Sequence, residues 1–336
     1  MTVLVTGGAG YIGSHMVLEL LEAGETVVIL DNLSTGRRSA VPDGVELIVG
    51  DFGDELLVND LIVRHKIDAI IHFAAKIVVP DSVADPLGYY LNNTASARSL
   101  LACAVAQKVK HFIFSSTAAV YGDPEVNPVS EDANLTPLSP YGRSKLMVEW
   151  MLEDTAQAHD LNYVVLRYFN VAGADPQGRT GQSFPNATHL IKVAVQAALG
   201  MRPGMEVFGT DYPTPDGSCL RDYIQVTDLV RAHMVALKYL RAGGDNLTCN
   251  CGYARGYSVL EVIETVKRIS GVDFDVKLSG RRPGDSCAVI AVNQRAREIL
   301  GWTPVHDNLD EIIRQAYEWE KKLLAEKVAV MAEKAA

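Results

Sequence analysis

The 336-residue chain has no apolar run long enough to span a membrane and no low-complexity tract. It is short of positive charge, with 31 Lys and Arg against 41 Asp and Glu, a formal net charge of −10. That balance argues against nucleic acid as the main partner. A small anionic ligand stays possible, because helix N-termini and a few arginines make local positive sites. Only five cysteines occur, at 103, 219, 249, 251 and 287, with no zinc spacing among them. No metal is expected, and free thiols in a reducing cytoplasm are the expected state. Cys249 and Cys251 flank Asn250 in a strand-like stretch and are expected on opposite faces. The opening MTVLVTGGAGYIG lacks a charged n-region and a cleavage site, which suggests an intracellular protein.

What the first half does have is a regular alternation of apolar strands and amphipathic helices. Strands are predicted at 2–6, 26–30, 45–50, 68–75, 111–116 and 162–170. Helices are predicted at 12–23, 55–65, 86–107 and 141–159. Strands so continuously apolar suggest a parallel sheet covered on both faces. The fold class expected is α/β, a doubly wound parallel (Rossmann-type) sheet with a smaller mixed α/β C-terminal substrate lobe. Residues 1–170 should form the dinucleotide-binding domain, with later segments returning to it. Residues 171–326 should form mainly the second lobe, with helical stretches at 187–199, 227–240, 258–270 and 308–326. The tail 327–336 is expected to fray.

Gly7, Gly10 and Gly13 sit at the first strand–helix junction, where glycine permits a tight turn and close approach of backbone to a pyrophosphate. The spacing is G-x-x-G-x-x-G. Asp31 closes the second strand and can accept hydrogen bonds from both hydroxyls of an adenosine ribose, favouring NAD over NADP, although Arg37 and Arg38 follow soon after. Asp51 and Phe52 either flank an adenine ring or, for Asp51, cap a helix. The segment SPYGRSK places Tyr141 and Lys145 one helical turn apart. The fifth strand ends at Ser115, Ser116 and Thr117, on the same sheet edge. An ammonium beside a phenol, together with a positive nicotinamide, should pull the phenol pKa down toward neutrality and make Tyr141 a base.

The segments VLVTGGAGYIGSH, ILDNL, IHFAA, FIFSSTAAVYG, SPYGRSKLMVE, LRYFNVAGA, FGTDYPTPDGSCLRDYI and RRPGD resemble, in this order, the UDP-glucose (UDP-galactose) 4-epimerase family of extended short-chain dehydrogenase/reductases. The resemblance implies an isomerase of galactose and nucleotide-sugar metabolism with tightly bound NAD. Tyr141 would be the base, Lys145 would hold the nicotinamide ribose, and Thr117 would take the Ser/Thr position. Cofactor contacts would include Tyr11, Ile12, Asp31, Asn32, Asp51, Phe52, Phe73, Ala74, Ala75, Asn92 and Phe169, with Ser115 at the strand end. Substrate contacts would be Asn170, His189, Leu190, Phe208, Arg221, Tyr223, Arg282 and Asp285. A homodimer through the helices at 86–107 and 141–159 is implied as well.

The chain departs from the family in three places. Ile77 stands where the family has a lysine near the pyrophosphate, leaving Lys76 as the available replacement. His189 replaces an asparagine. Val289 replaces a large tyrosine of the sugar pocket, which resembles the forms that also accept N-acetylated UDP-sugars. Singly, these residues have other readings: His189 as a structural histidine, Arg221 and Asp222 as a strand-end ion pair, Arg281 and Arg282 as a solvated step. The alternative function is another UDP-sugar enzyme of the family, such as a pentose 4-epimerase, a decarboxylase or a dehydratase. Ala118 and Ala119 after Thr117 speak against dehydration, since dehydratases carry an Asp-Glu pair there.

Overall fold

The computed structural model describes residues 1–282 and 285–335. In chain order the first elements are β1 (Thr2–Thr6), α1 (Tyr11–Glu22), β2 (Thr26–Asp31), β3 (Glu46–Val49), α2 (Glu55–His65) and β4 (Ile67–His72). There follow α3 (Val79–Ala84), α4 (Pro86–Tyr89), α5 (Ser96–Ala106), β5 (His111–Ser115), α6 (Pro140–Ala158), β6 (Asn162–Tyr168) and β7 (Asn170–Ala172). The rest comprises α7 (Leu190–Ala198), β8 (Met205–Phe208), β9 (Leu220–Gln225), α8 (Val226–Arg241), β10 (Leu247–Cys251), β11 (Gly256–Ser258), α9 (Val259–Ser270), β12 (Val276–Ser279), β13 (Ala288–Val289), α10 (Gln294–Glu298) and α11 (Leu309–Ala335).

Seven strands form one parallel sheet in the order β10-β6-β5-β4-β1-β2-β3. The order reverses between β1 and β4, so their carboxyl ends open a crevice where ligands bind in such sheets. Apolar side chains pack on both faces. Val3, Val5, Ile29, Ile71 and Ile113 meet α1 and α8 on one side, while Leu4, Leu30, Ile70, Phe112 and Phe114 meet α2, α5 and α6 on the other. This is the α/β doubly wound class expected. The seventh strand and α8 come from beyond residue 170, as returning segments. A four-stranded sheet in the second lobe centres on β9, flanked by β11, β13 and β7, and β8 pairs with β12.

Several elements differ from the sequence reading. The helix expected over 86–107 is broken into α4, a π-helical turn at Tyr90–Ala95, and α5, and α3 precedes it. The strand expected at 68–75 ends at His72. Cys249 and Cys251 share one face and one core cluster, because side chains two apart in a strand point the same way. All five cysteines are free. The last helix runs on to Ala335, past the expected end at 326, in a stretch of good helix formers. Ala336, part of that expected tail, lies outside the described residues, as do Pro283 and Gly284 of the RRPGD segment.

Candidate active site

The crevice floor is the loop from β1 to α1. Gly7 has φ +73°, and a Cβ there would stand 2.8 Å from the Ala74 nitrogen. A Cβ on Gly13 would stand 2.1 Å from the Gly7 oxygen. Gly10 caps α1 without a side chain, so the first-turn N–H groups of Tyr11 and Ile12 have no side-chain acceptor. Asp31 is buried at the end of β2. Its Oδ2 accepts the Ala9 N–H (3.0 Å) and its Oδ1 the Leu33 N–H (2.8 Å), and each oxygen keeps a lone pair. Asn32 accepts the Ser34 N–H (3.0 Å).

Asp51 does not cap α2. It closes a turn by accepting the Gly53 N–H (2.7 Å), while Asp54 takes the Leu56 and Leu57 N–H groups at 3.1 Å. Phe52 is buried with its ring against His72, centroids 4.9 Å apart. Phe73, Ala74 and Ala75 leave β4, and the Phe73 ring lies 4.8 Å from that of His233. Asn93, in the π-helical turn, clasps the next residue. It accepts the Lys76 N–H (2.8 Å) and donates to the Lys76 carbonyl (2.9 Å). Asn92 donates to Asn93 Oδ1 (2.8 Å). The Lys76 side chain is half exposed, 4.0 Å from Asp85. A floor too tight for a Cβ at Gly7 or Gly13, an uncapped helix start and a buried carboxylate on the second strand suit the diphosphate and ribose of a dinucleotide.

The SPYGRSK segment starts α6. Ser139 is its N-cap, accepting the Gly142 N–H (3.2 Å), and Pro140 fills the first turn, where no backbone N–H is needed. This delivers Tyr141 and Lys145 to the end of β5. Tyr141 is 7% exposed, with the Thr117 side chain near enough to pull on its phenol. Lys145 is 2% exposed; its Nζ donates to the Ser115 carbonyl (2.8 Å) and lies 4.7 Å from the centroid of the Phe114 ring.

The expected lowering of the phenol does not come from the protein's own groups. Burial pushes Tyr141 up to about 12, against a smaller pull from Thr117. Burial also drives Lys145 down to about 7, opposed by the Glu149 carboxylate. The lysine turns its charge toward Ser115 and Phe114, which leaves the positive charge of a nicotinamide to favour tyrosinate.

Beneath this edge lie further buried polar residues that sequence reasoning missed. Ser115 Oγ bonds His233 Nε2 (2.7 Å), and His233 Nδ1 lies 2.9 Å from the Leu229 carbonyl. The carbonyl can only accept, so Nδ1 carries the proton and Ser115 donates to Nε2. Ser116 bonds Glu149, which holds Arg167 (2.6 Å). Glu149 was detectable in principle, lying eight residues past Tyr141 on the same helical face.

In the second lobe the strand register assembles distant residues. Asn170 lies opposite Tyr223, and Val289 opposite Arg221. Phe208 ends β8, and the Arg282 guanidinium lies 5.2 Å from its ring centroid. Asp285 pairs with Arg282 (2.9 Å). His189 is the N-cap residue of α7 but makes no capping bond, and Leu190 is the first helical residue. Burial lowers His189, with Lys192 adding to the effect, so it is neutral near pH 7. The ion-pair reading of Arg221 and Asp222 fails. Arg221 donates to the Leu220 carbonyl (2.8 Å), while Asp222 accepts the N–H groups of Tyr253, Ala254 and Ala291 at 2.8, 3.0 and 3.2 Å. Phe169 is buried in a small cluster with Tyr121, against which Val289 packs. No cluster of metal-ligating side chains occurs among the described residues.

Residues 3–252 match the NAD dependent epimerase/dehydratase family. A UDP-glucose 4-epimerase of Azospirillum brasilense is 55% identical over 321 residues, covering 96% of this chain and 92% of the relative. The structure of UDP-glucose 4-epimerase from Brucella ovis in complex with NAD superposes with a TM-score of 0.92 at 44% identity, over 94% of this chain and 97% of that one. The UDP-Glc/GlcNAc 4-epimerase of Campylobacter jejuni gives 0.85 at 45% identity, over 96% and 99% of the two chains.

Proposed function

This chain belongs to the NAD dependent epimerase/dehydratase family, and from that premise we propose that it is an NAD-using 4-epimerase interconverting UDP-glucose and UDP-galactose through a transient 4-ketopyranose. The observation that carries the reading is the buried Thr117–Tyr141 pair at the strand edge beside the glycine loop. NAD supplies the hydride acceptor and donor at C4. Tyr141, with Thr117 beside it, removes the proton of the sugar 4-hydroxyl and returns it once the sugar presents its opposite face. Lys145 keeps a positive charge near the phenol and holds the nicotinamide ribose. Gly7, Gly10 and Gly13 form the floor under the diphosphate, and Asp31 receives the adenosine ribose.

Arg221 and Arg282 suit the substrate diphosphate, and Phe208 and Tyr223 offer aromatic surfaces for the uridine. Firm contacts to UDP and few to the sugar allow the 4-keto sugar to turn over between the two transfers. Val289 leaves room for an N-acetyl group, in line with the printed substrates of the Campylobacter jejuni relative. The dehydratase reading is disfavoured by Ala118 and Ala119, which offer no acid after Thr117. Exposed Leu87, Leu91 and Trp150 support a homodimer through the helical stretches at 86–107 and 141–159. Five free thiols support a cytoplasmic setting.

The test is to incubate purified protein with UDP-galactose, UDP-N-acetylglucosamine and UDP-xylose without added NAD and identify the products. UDP-glucose should form from UDP-galactose; conversion of UDP-xylose alone would move the assignment to the pentose 4-epimerases.

A further inference from the structure

Tyr141, Lys145 and Glu149 recur every four residues along α6, so one helix face carries a phenol, an ammonium and a carboxylate in sequence. All three are buried. Glu149 makes no direct ion pair with Lys145. Its oxygens are taken by other groups: Ser116 Oγ donates to Oε1, and Arg167 reaches both oxygens, with Nε at 3.2 and 3.1 Å and Nη2 at 2.6 Å. Arg167 is held from behind, donating to the Tyr121 hydroxyl (3.1 Å) and the Glu131 carbonyl (3.2 Å). Tyr121 in turn donates to Asn250 (2.7 Å).

A buried ion pair is a poor device for stability alone, because apolar side chains of similar volume serve as well or better. Its location here suggests another use. Ser116, which Glu149 anchors, lies between Ser115, whose carbonyl receives Lys145, and Thr117, whose side chain pulls on the Tyr141 phenol.

The groups facing Lys145 sort by charge. Tyr141 and Glu149 come from its own helix. His72 on β4 is buried and pushed down to about 3, so it is neutral. Tyr168 on β6 is raised by burial, so it is neutral too. Arg167, also on β6, lies behind Glu149. Among the described residues, Glu149 is thus the negative charge that acts on the ammonium against its burial.

We propose that Glu149 is a positioning residue for the proton transfer: clamped by Arg167, it keeps Lys145 in the ammonium form and fixes the Ser115–Thr117 strand end. The proposal rests on the reading of Tyr141 as base and Lys145 as its charged partner.

The test is the pH profile of turnover for the NAD-loaded enzyme, from about pH 5 to about pH 10. The wild type should show an alkaline limb where Lys145 loses its proton, and Lys145→Met should lack that limb. Glu149→Gln should move the limb down by about one pH unit, because the ammonium loses its opposing charge. Glu149→Asp, which keeps the charge, should return it toward the wild-type position. If Glu149→Gln lowers turnover equally at every pH, its role is only structural and the proposal is overturned. If Glu149→Gln fails to fold, Glu149→Gln/Arg167→Met removes both buried charges; its limb should still move down, and an unmoved limb overturns the proposal. A limb that persists in Lys145→Met overturns the reading of Lys145, and this proposal with it; an intact Lys145 limb that ignores Glu149 overturns this proposal alone.

Discussion

A single methyl group at Gly13 should empty the dinucleotide site. The Cβ of Gly13→Ala would lie 2.1 Å from the Gly7 oxygen and 2.8 Å from both the Gly7 carbonyl carbon and the Gly8 Cα. Non-bonded carbon contacts normally sit at about 3.5–4.0 Å, so the loop must give by about 1 Å. All three atoms are backbone and cannot rotate away. They also shape the floor on which the diphosphate would lie. Overpacking of this kind costs about 1–3 kcal/mol. If that strain falls on the bound form, affinity drops by about fivefold to more than a hundredfold.

The neighbouring glycines grade the effect. A Cβ at Gly10 meets only the Gly7 oxygen, at 3.2 Å, and one at Gly24 meets nothing within 4 Å, although its φ of +77° disfavours alanine. NAD released on acid denaturation, measured per protein chain, should be near wild type for Gly24→Ala, slightly reduced for Gly10→Ala and nearly absent for Gly13→Ala. A Gly13→Ala protein retaining as much NAD as Gly10→Ala would refute the reasoning.

Three further changes probe other parts of the structure. Arg167→Met leaves Glu149 buried without its partner and should lower stability by about 3–5 kcal/mol in urea denaturation; a loss below about 1 kcal/mol would mean that the pair is not desolvated as the structure has it. Val289→Tyr should cut turnover of UDP-N-acetylglucosamine while leaving UDP-galactose conversion within a few-fold, measured by product analysis; equal losses would remove Val289 from the sugar pocket. Lys145 has its pKa lowered from 10.5 to about 7 on folding. The unfolded chain therefore binds more protons between those values, so the burial penalty is full below pH 7 and fades as pH rises to 10.5. Lys145→Met should accordingly gain about 1–3 kcal/mol near neutral pH in NAD-free protein and less near pH 10, and a gain independent of pH would contradict this.

Much of the fold was legible because its signals are local. Apolar runs, glycine stops and the Ser139–Pro140 helix start are read within a few residues, so β1, β2, α2 and α6 fell close to their expected bounds. Tyr141 and Lys145 were legible for the same reason, as one turn of one helix. The π-helical turn at Tyr90–Ala95 left no such mark. Its role as a clasp for Lys76 depends on Asn93 meeting a loop residue seventeen positions away in sequence.

Long-range partnerships escaped for that reason. Asp222 accepts three backbone N–H groups from two other loops, His233 meets Ser115 across 118 positions, and Glu149 meets Arg167 from a different element. The expected lowering of the Tyr141 pKa drew on a positive nicotinamide together with an adjacent ammonium. Desolvation outweighs it because both groups are buried and Lys145 turns toward Ser115.

The central claim is that Tyr141 moves the proton while the hydrogen on C4 leaves and returns within one closed cycle. The direct measurement is to supply UDP-galactose deuterated at C4 to the enzyme in ordinary water, with no NAD added, and to read the label at C4 of the product. The account predicts UDP-glucose with deuterium retained at C4, and turnover about a hundredfold or more lower in a Tyr141→Phe protein that still carries NAD. Loss of the label to solvent, or near-normal turnover by Tyr141→Phe, would contradict it.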